Sequence, residues 1–298
     1  MEDFRLKVFH SVARNRSFTK AAAELFITQP AVTKQIKNLE EMLGTRLFER
    51  ISNSVVMTGE GELLFRYTNE IFQLYKDFMV ELSLLKAAPA GELTVGASTT
   101  IAQYLISPVL GGFQKKFPEI KLNLISGNTE TIEHAVLSKN ICLGIVEGKR
   151  HHTGLKYADL TSDELVLVTH ATSKYAREKV IDLEELKKIP MVLRERGSGT
   201  LEVIEMALQQ RGIRLVDLSI MMHLGGTESI KSFLENSHSA AFISMRAIKK
   251  EIQYGELKII PINDFQIKRS FSFIYLHGQP DRLSTMFMRY ASQYYKER

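Results

Sequence analysis

The chain has 298 residues, comfortable for two domains, and its 44% hydrophobic and 24% charged residues are an ordinary globular mix. No apolar run approaches the roughly 20 residues of a membrane helix, the opening Met1-Glu2-Asp3-Phe4-Arg5 lacks the order of a signal peptide, and the single cysteine, Cys142, excludes an internal disulfide framework and reads as a buried structural thiol. A cytoplasmic protein is expected; its net charge of +5 is compatible with nucleic acid without demonstrating it.

Phe4, Val8, Phe9 and Val12 recur at helical spacing, which predicts a first helix over about 3–13. Ser17 is placed to cap a second, short helix over 18–25, whose run of alanines permits close helix approach. Phe26-Ile27 turns the chain. Thr28 then caps a third helix, with Pro30 in its first turn, where a missing N–H costs nothing, and Gly44 as its stop. Val32, Ile36, Leu39 and Leu43 form an apolar stripe; Gln29, Thr33, Lys34 and Lys37 lie off it. One buried face and one polar, cationic face suit a helix that reads DNA. Amphipathicity alone fits a solvated face on a small helical bundle equally well.

From Glu60 to about Lys86 there is no proline, and Leu63, Leu64, Tyr67, Ile71, Leu74, Phe78, Leu82 and Leu85 repeat at three- and four-residue steps. This predicts one helix of about 40 Å with a continuous apolar seam. A coiled-coil-like partner is the simplest way to keep the seam dry; packing onto the protein's own domains is the alternative. Ala87-Ala88-Pro89-Ala90-Gly91 ends the pattern and marks a boundary.

Beyond it, strands and helices alternate. Strands are expected at 92–97, 121–125, 143–146, 155–160, 165–169, 191–193, 218–222, 240–243, 257–262 and 271–275. Helices are expected after Ser98-Thr99-Thr100, after Gly127-Asn128-Thr129, after Ser198-Gly199-Thr200, near 229–235, and around 286–295. The alternation implies a mostly parallel sheet. So much chain exceeds one ordinary sheet, so two subdomains with a cleft are expected, about 91–160 with 266–298, and about 161–265. Glu147-Gly148 and Pro261-Ile262 are the expected crossings between them.

The order Ser17-Phe18-Thr19-Lys20-Ala21-Ala22, Leu25, Thr28-Gln29-Pro30-Ala31-Val32-Thr33-Lys34-Gln35-Ile36, Leu39-Glu40, Leu43-Gly44, Leu47-Phe48-Glu49-Arg50 and Thr58-Gly59-Glu60-Gly61 closely resembles the DNA-binding signature of the LysR family of transcriptional regulators. Thr33-Lys34 stands where that family usually has Ser-Arg, and the wing at Ile51-Ser52-Asn53-Ser54 is less basic than many. The resemblance implies an all-α winged helix-turn-helix at 1–59, a linker and dimerisation helix at 60–88, and an effector-binding α/β domain at 91–298 similar to periplasmic binding proteins. It implies double-stranded DNA, a small-molecule effector and a second copy of the chain as partners, with a homotetramer as a pair of dimers. Gln29, Pro30 and Ala31 should then face bases; Thr33, Lys34 and Arg50 should hold phosphates, with Asn53 in the wing nearby, Ser17 and Thr28 at the helix caps, and Lys37 either on DNA or solvated. Ser98-Thr99-Thr100 and Arg196-Gly197-Ser198-Gly199-Thr200 are similar to the branch that controls sulfur assimilation and carbon fixation.

Ligands bind beyond the carboxyl ends of parallel strands, where helix starts converge. Ser98, Thr99, Thr100, Asn128, Thr129, Ser198, Gly199 and Thr200 are therefore the candidate effector contacts, an anion site of hydroxyls and N–H groups without a dedicated cation; each segment alone also reads as an ordinary cap. Rival classes fit less of the chain. Gly197-Ser198-Gly199 is not the spacing of a nucleophile elbow, and His151-His152 lacks ligand spacing for a metal. No P-loop or dinucleotide fingerprint appears, so neither an enzyme nor a cofactor is expected. A solute-binding protein would leave residues 1–86 unexplained.

Overall fold

The computed structural model describes residues 3–51, 54–85, 89–148, 152–177, 179–278 and 280–296. The chain forms two compact units, Met1–Leu85 and Lys86–Arg298.

In the first unit, Asp3 caps α1 (Phe4–Asn15). Ser17 accepts the Lys20 N–H to start α2 (Phe18–Glu24), and Thr28 accepts the Ala31 N–H to start α3 (Gln29–Leu43), which Gly44 ends in the left-handed region. Val8, Phe9, Val12, Ala21, Ala22, Val32, Ile36, Leu39 and Leu47 share one buried core. Leu43, expected on that stripe, is instead exposed, as is Met42, because the last turn of α3 runs past the core. The wing is a short hairpin in which β1 (Phe48–Ile51) and β2 (Ser54–Met57) pair antiparallel. Glu40 Oε1 accepts the Leu47 and Phe48 N–H groups at 2.8 and 3.4 Å, so α3 fixes where the wing begins.

Thr58 joins wing to α4 (Gly59–Leu85): its hydroxyl donates to the Arg46 carbonyl at 2.7 Å and accepts the Gly61 N–H at 3.0 Å. Helix α4 has 27 residues, about 40 Å of length. Leu64 and Phe65 pack on the first unit's core, so Leu64 leaves the expected seam; one residue on from Leu63, it points about 100° away. Leu63, Tyr67, Ile71, Leu74, Phe78 and Leu82 remain exposed, Leu74 to 69%. The side chain of Leu85 lies outside the described residues.

The second unit begins with β3 (Gly91–Ser98), followed by α5 (Thr99–Ile101), which runs through a π-helical turn (Ala102–Ile106) into α6 (Ser107–Lys116). Then come β4 (Ile120–Gly127), α7 (Thr129–Leu137), β5 (Leu143–Glu147), β6 (Leu155–His170), α8 (Leu183–Leu186), β7 (Met191–Arg194), α9 (Gly199–Gln209), β8 (Ile220–Leu224), α10 (Thr227–Glu235) and β9 (Ala240–Ser244). The chain ends with α11 (Lys249–Tyr254), β10 (Leu257–Ile259), β11 (Ile267–Leu276) and α12 (Arg282–Lys296).

The strands order as β4-β3-β5-β11-β6-β9-β7-β8, with β10 also on β6. The two strands expected at 155–160 and 165–169 are one 16-residue strand, β6. It pairs antiparallel with β11 over its first part and with β9 over its last. The sheet is therefore mixed: each flank is parallel, and the antiparallel pair β6 and β11 carries the chain from one flank to the other. This corrects the expected crossings. Glu147 ends β5 inside the first flank, and Ile262 bridges Ile181 inside the second. Over residues 161–165 and 267–271, β6 and β11 hydrogen-bond to each other and span the halves as a two-stranded ribbon without a loop there.

Ile132, Val136, Ile141, Val146, Leu155 and Ile274 form a core of the first half. In the second half Met191 and Leu193 face the cluster that includes Ile204 and Leu208 of α9, while Val192 faces Ile230 and Leu234 of α10. The alternation along β7 thus serves two helix layers. Cys142, expected to be buried, is only partly so, just before β5.

Candidate functional site

The DNA-facing candidates lie together around the start of α3. Pro30, Thr33 and Lys34 are exposed and Gln29 and Ala31 partly so, while Val32 and Ile36 anchor the opposite face. Gln29 Nε2 donates to Thr33 Oγ1 at 3.0 Å, and that hydroxyl donates to the Gln29 carbonyl at 3.2 Å. The Gln29 amide is thus held along the helix surface. Lys37 sits 3.6 Å from Glu41 on the same helix, a surface pair at 75% and 63% exposure. The hydroxyls of Ser17 and Thr28 are occupied as caps. Arg50 has its backbone in β1 with its side chain outside the described residues, and Asn53 lies outside them.

In the second unit four helix starts converge, two from each half. Ser98 precedes α5, Asn128 caps α7, Ser198 precedes α9 and Gly226 precedes α10. All eight effector candidates lie at this convergence. Thr100 Oγ1 is 3.3 Å from Thr227 Oγ1 across the halves. Thr129 Oγ1 accepts the Gly199 N–H at 3.2 Å and donates to the Glu147 carbonyl at 3.0 Å. Asn128 Nδ2 donates to the Arg196 carbonyl at 3.4 Å. Thr99 Oγ1 donates within its own half, to the Gly127 carbonyl at 3.0 Å. Ser98, Thr100, Thr129, Ser198 and Thr200 are all buried.

The fold adds charged groups that the sequence reading did not single out. Glu147, 2% exposed, accepts from the Ser98 hydroxyl and, at 3.0 Å, from the Thr200 hydroxyl. Arg269 Nη1 donates to Thr200 Oγ1 at 2.8 Å and lies 3.6 Å from Glu147. Its Nε and Nη2 meet Asp163 Oδ2 at 2.8 and 2.7 Å. A buried guanidinium, ion-paired with Asp163 and Glu147, thus stands beside hydroxyls that were expected to act without a dedicated cation. Arg269 reaches Thr200 across 69 residues of sequence, so no local pattern announces it. Arg194 did carry a signal, a charge closing the apolar run Met191-Val192-Leu193.

Arg194, 3% exposed, donates from Nε and Nη2 to Glu195 at 2.7 and 2.9 Å. Burial pushes the Glu195 carboxyl up, but the Arg194 hydrogen bonds and charge, with the backbone N–H groups of Glu195 and Gly226, outweigh it and hold the carboxyl below its usual range. The Ser198 hydroxyl is buried with no partner among the described residues and makes no cap.

A cavity of about 640 Å³ opens beside this convergence, lined in part by Thr129, Ser198 and Gly199. The lining also carries Glu130, Glu133, Glu202 and Glu205 against Arg196. That lining suits an anion poorly, so the hydroxyl convergence is the candidate. His152 lies 3.7 Å from Glu133 in this lining, while its neighbour His151 lies outside the described residues.

Residues 4–62 match the family model described as bacterial regulatory helix-turn-helix protein, lysR family, and residues 86–295 match the LysR substrate binding domain. The chain is 33% identical over 273 residues to a probable RuBisCO transcriptional regulator of Guillardia theta, covering 91% of this chain and 88% of that one. It is 31% identical over 270 residues to the HTH-type transcriptional regulator CysL of Bacillus subtilis (strain 168), covering 91% and 89%. Among solved structures, the regulatory domain of Synechocystis PCC6803 CcmR in complex with 2-PG superposes with a TM-score of 0.62 at 25% identity, over 68% of this chain and 96% of that one. Regulators of this kind bind DNA and effectors and form oligomers. A capped helix presenting Pro30, Thr33 and Lys34 outward and a sensor whose helix starts converge between two halves are what such a regulator is built from, and the chain belongs to the LysR family of DNA-binding transcriptional regulators.

Proposed function

We propose that this regulator responds to a small anionic metabolite held between the two halves of its sensor, contacted by Ser98, Thr99, Thr100, Asn128, Thr129, Ser198, Gly199 and Thr200. The observation that carries this is the Ser198 hydroxyl, buried without a partner where helix starts of both halves meet. A buried hydroxyl left unpaired costs about 1–3 kcal/mol, and helix starts favour negative charge. The 2-PG bound by the CcmR domain, 2-phosphoglycolate, is such an anion. Ser98 and Thr200 now donate to Glu147. An anion that shares these donors shifts the contacts between the halves, and such differential contact is the only way a ligand biases one arrangement over another.

The same reading places Gln29, Pro30 and Ala31 against bases and Thr33, Lys34 and Arg50 against phosphates, with Asn53, Ser17, Thr28 and Lys37 at the margin. The exposed seam of α4 supports a homodimer joined along that helix, and a pair of such dimers as a homotetramer. A protein that works on DNA in this way belongs, on this reading, in the cytoplasm. Among the described residues no helix is long and apolar enough to cross a membrane.

The test is operator retention. The full chain is used to select genomic fragments, and the retained fragment is then titrated with 2-phosphoglycolate and with pooled anionic metabolites. Thr100→Val should blunt the metabolite response and leave metabolite-free retention intact. A wild type whose retention no anionic metabolite changes would overturn the reading.

A further inference from the structure

We propose that Arg194 is the cation of an oxyanion site in the sensor cleft, and that Glu195 fills this site until a phosphate- or carboxylate-bearing ligand displaces it. The proposal rests on the cleft reading above and names the chemistry that the cleft recognises.

Arg194 ends β7 on the α10 side of the sheet, in line with Val192. Its guanidinium is buried, and Nη1 has no hydrogen-bond partner among the described residues. Its other two nitrogens that face Glu195 hold that carboxylate in a fork, the geometry by which arginine takes carboxylate or phosphate. The carboxylate also faces the backbone N–H of Gly226, at the start of the nine-residue helix α10. Gly226 has φ +104°, a conformation that favours glycine. A Cβ on Gly226 would come 3.7 Å from Thr99 Cγ2, so this place adjoins the first half, and Thr227 meets Thr100 beside it.

The two partners differ in freedom. The Arg194 side chain is 3% exposed and Glu195 is 29% exposed. The guanidinium is fixed; the carboxylate can swing to solvent. A carboxylate bound by a forked arginine and a helix start is the arrangement that an incoming oxyanion would adopt. The spare Nη1 offers a ligand one hydrogen bond that Glu195 leaves unmade. Glu195 also begins the turn to Ser198, whose N–H donates to the Glu195 carbonyl at 3.3 Å. Displacing the carboxylate therefore acts on the segment that leads into α9.

The experiment is thermal unfolding of the full chain against inorganic phosphate and, separately, acetate, at fixed ionic strength. Phosphate should raise the sensor transition saturably in the wild type; acetate doing so at lower concentration would mark the site as one for carboxylates. Glu195→Gln removes the internal competitor, so its half-saturation should fall about tenfold. Arg194→Met should lose the saturable rise, and Arg194→Lys, which keeps the charge in case the first variant fails to fold, should keep only part of it. Equal half-saturation in wild type, Glu195→Gln and Arg194→Met overturns the inference while leaving a metabolite cleft in place. Weaker binding by Glu195→Gln overturns the role of Glu195 as occupant, since the carboxylate would then be holding Arg194 in position. No saturable rise with either anion overturns the oxyanion site, and the metabolite reading then stands or falls on operator retention alone.

Discussion

The Thr200 hydroxyl donates to the Glu147 carboxylate at 3.0 Å although 53 residues separate them. Glu147 ends β5 in one half of the sensor and Thr200 lies in the first turn of α9 in the other. The bond therefore spans the line along which the halves meet. Ser98 and Arg269 converge on the same carboxylate, so Glu147 joins the halves together with the Thr129–Gly199, Asn128–Arg196 and Thr100–Thr227 contacts.

Glu147→Ala should destabilise the sensor. It leaves the Ser98 hydroxyl buried without its acceptor and costs Thr200 a bond, a loss of about 1–3 kcal/mol. Arg269 keeps Asp163, so the loss should stop short of unfolding. The urea midpoint of the sensor transition measures this, and Glu147→Gln, which retains an acceptor oxygen, should recover part of it. An unchanged midpoint in Glu147→Ala would remove Glu147 from this role.

Gly199→Ala should spoil the approach of the halves. A Cβ there would collide with the Glu147 carbonyl oxygen and crowd Thr129 Oγ1. Forcing one extra carbon into such a contact costs about 1–3 kcal/mol. The expected outcome is a lost metabolite response with operator binding retained. Calorimetric titration of the metabolite that passes the retention test checks it, and wild-type affinity in the variant would contradict the close contact.

Gln29→Ala should relax discrimination at one base position in each half-site by about 1–3 kcal/mol. Lys34→Ala and Arg50→Ala should weaken all sequences alike and flatten the salt dependence by about one unit each. Binding measured on a panel of single-base operator variants at several salt concentrations separates the two effects. A base preference that follows Lys34 and ignores Gln29 would mean that α3 is oriented otherwise.

Ile71→Glu with Phe78→Glu should abolish pairing along α4. Both side chains are exposed in the single chain, at 46% and 55%, so the change leaves the folded units intact while placing charges in the seam. Sedimentation should show a smaller species with weakened operator binding and an unchanged sensor transition. Wild-type assembly in the double variant would place the interface elsewhere.

Much of the fold is legible along the chain because its determinants are local. Ser17, Thr28 and Gly44 punctuate helices through their own hydroxyls and backbone, and the 3.6-residue period of Val8, Phe9 and Val12 needs no distant partner. Leu43 misled because periodicity reports a face without saying where the neighbouring helix stops. The halves 155–160 and 165–169 read as two strands because Thr161 to Glu164 are polar. That segment lies along β11, which supplies its hydrogen bonds and makes one strand of both.

Short runs of residues carry the family, the capped third helix, the long apolar seam and the segments that start the sensor helices. The chemistry between those segments arises only once the chain is folded. Glu147, Asp163 and Arg269 come together from three strands, and Arg194 turns to Glu195 beneath the start of α10. A buried charge is tolerated only where partners surround it, and partners separated by 69 or 106 residues are set by sheet order, which no local pattern carries.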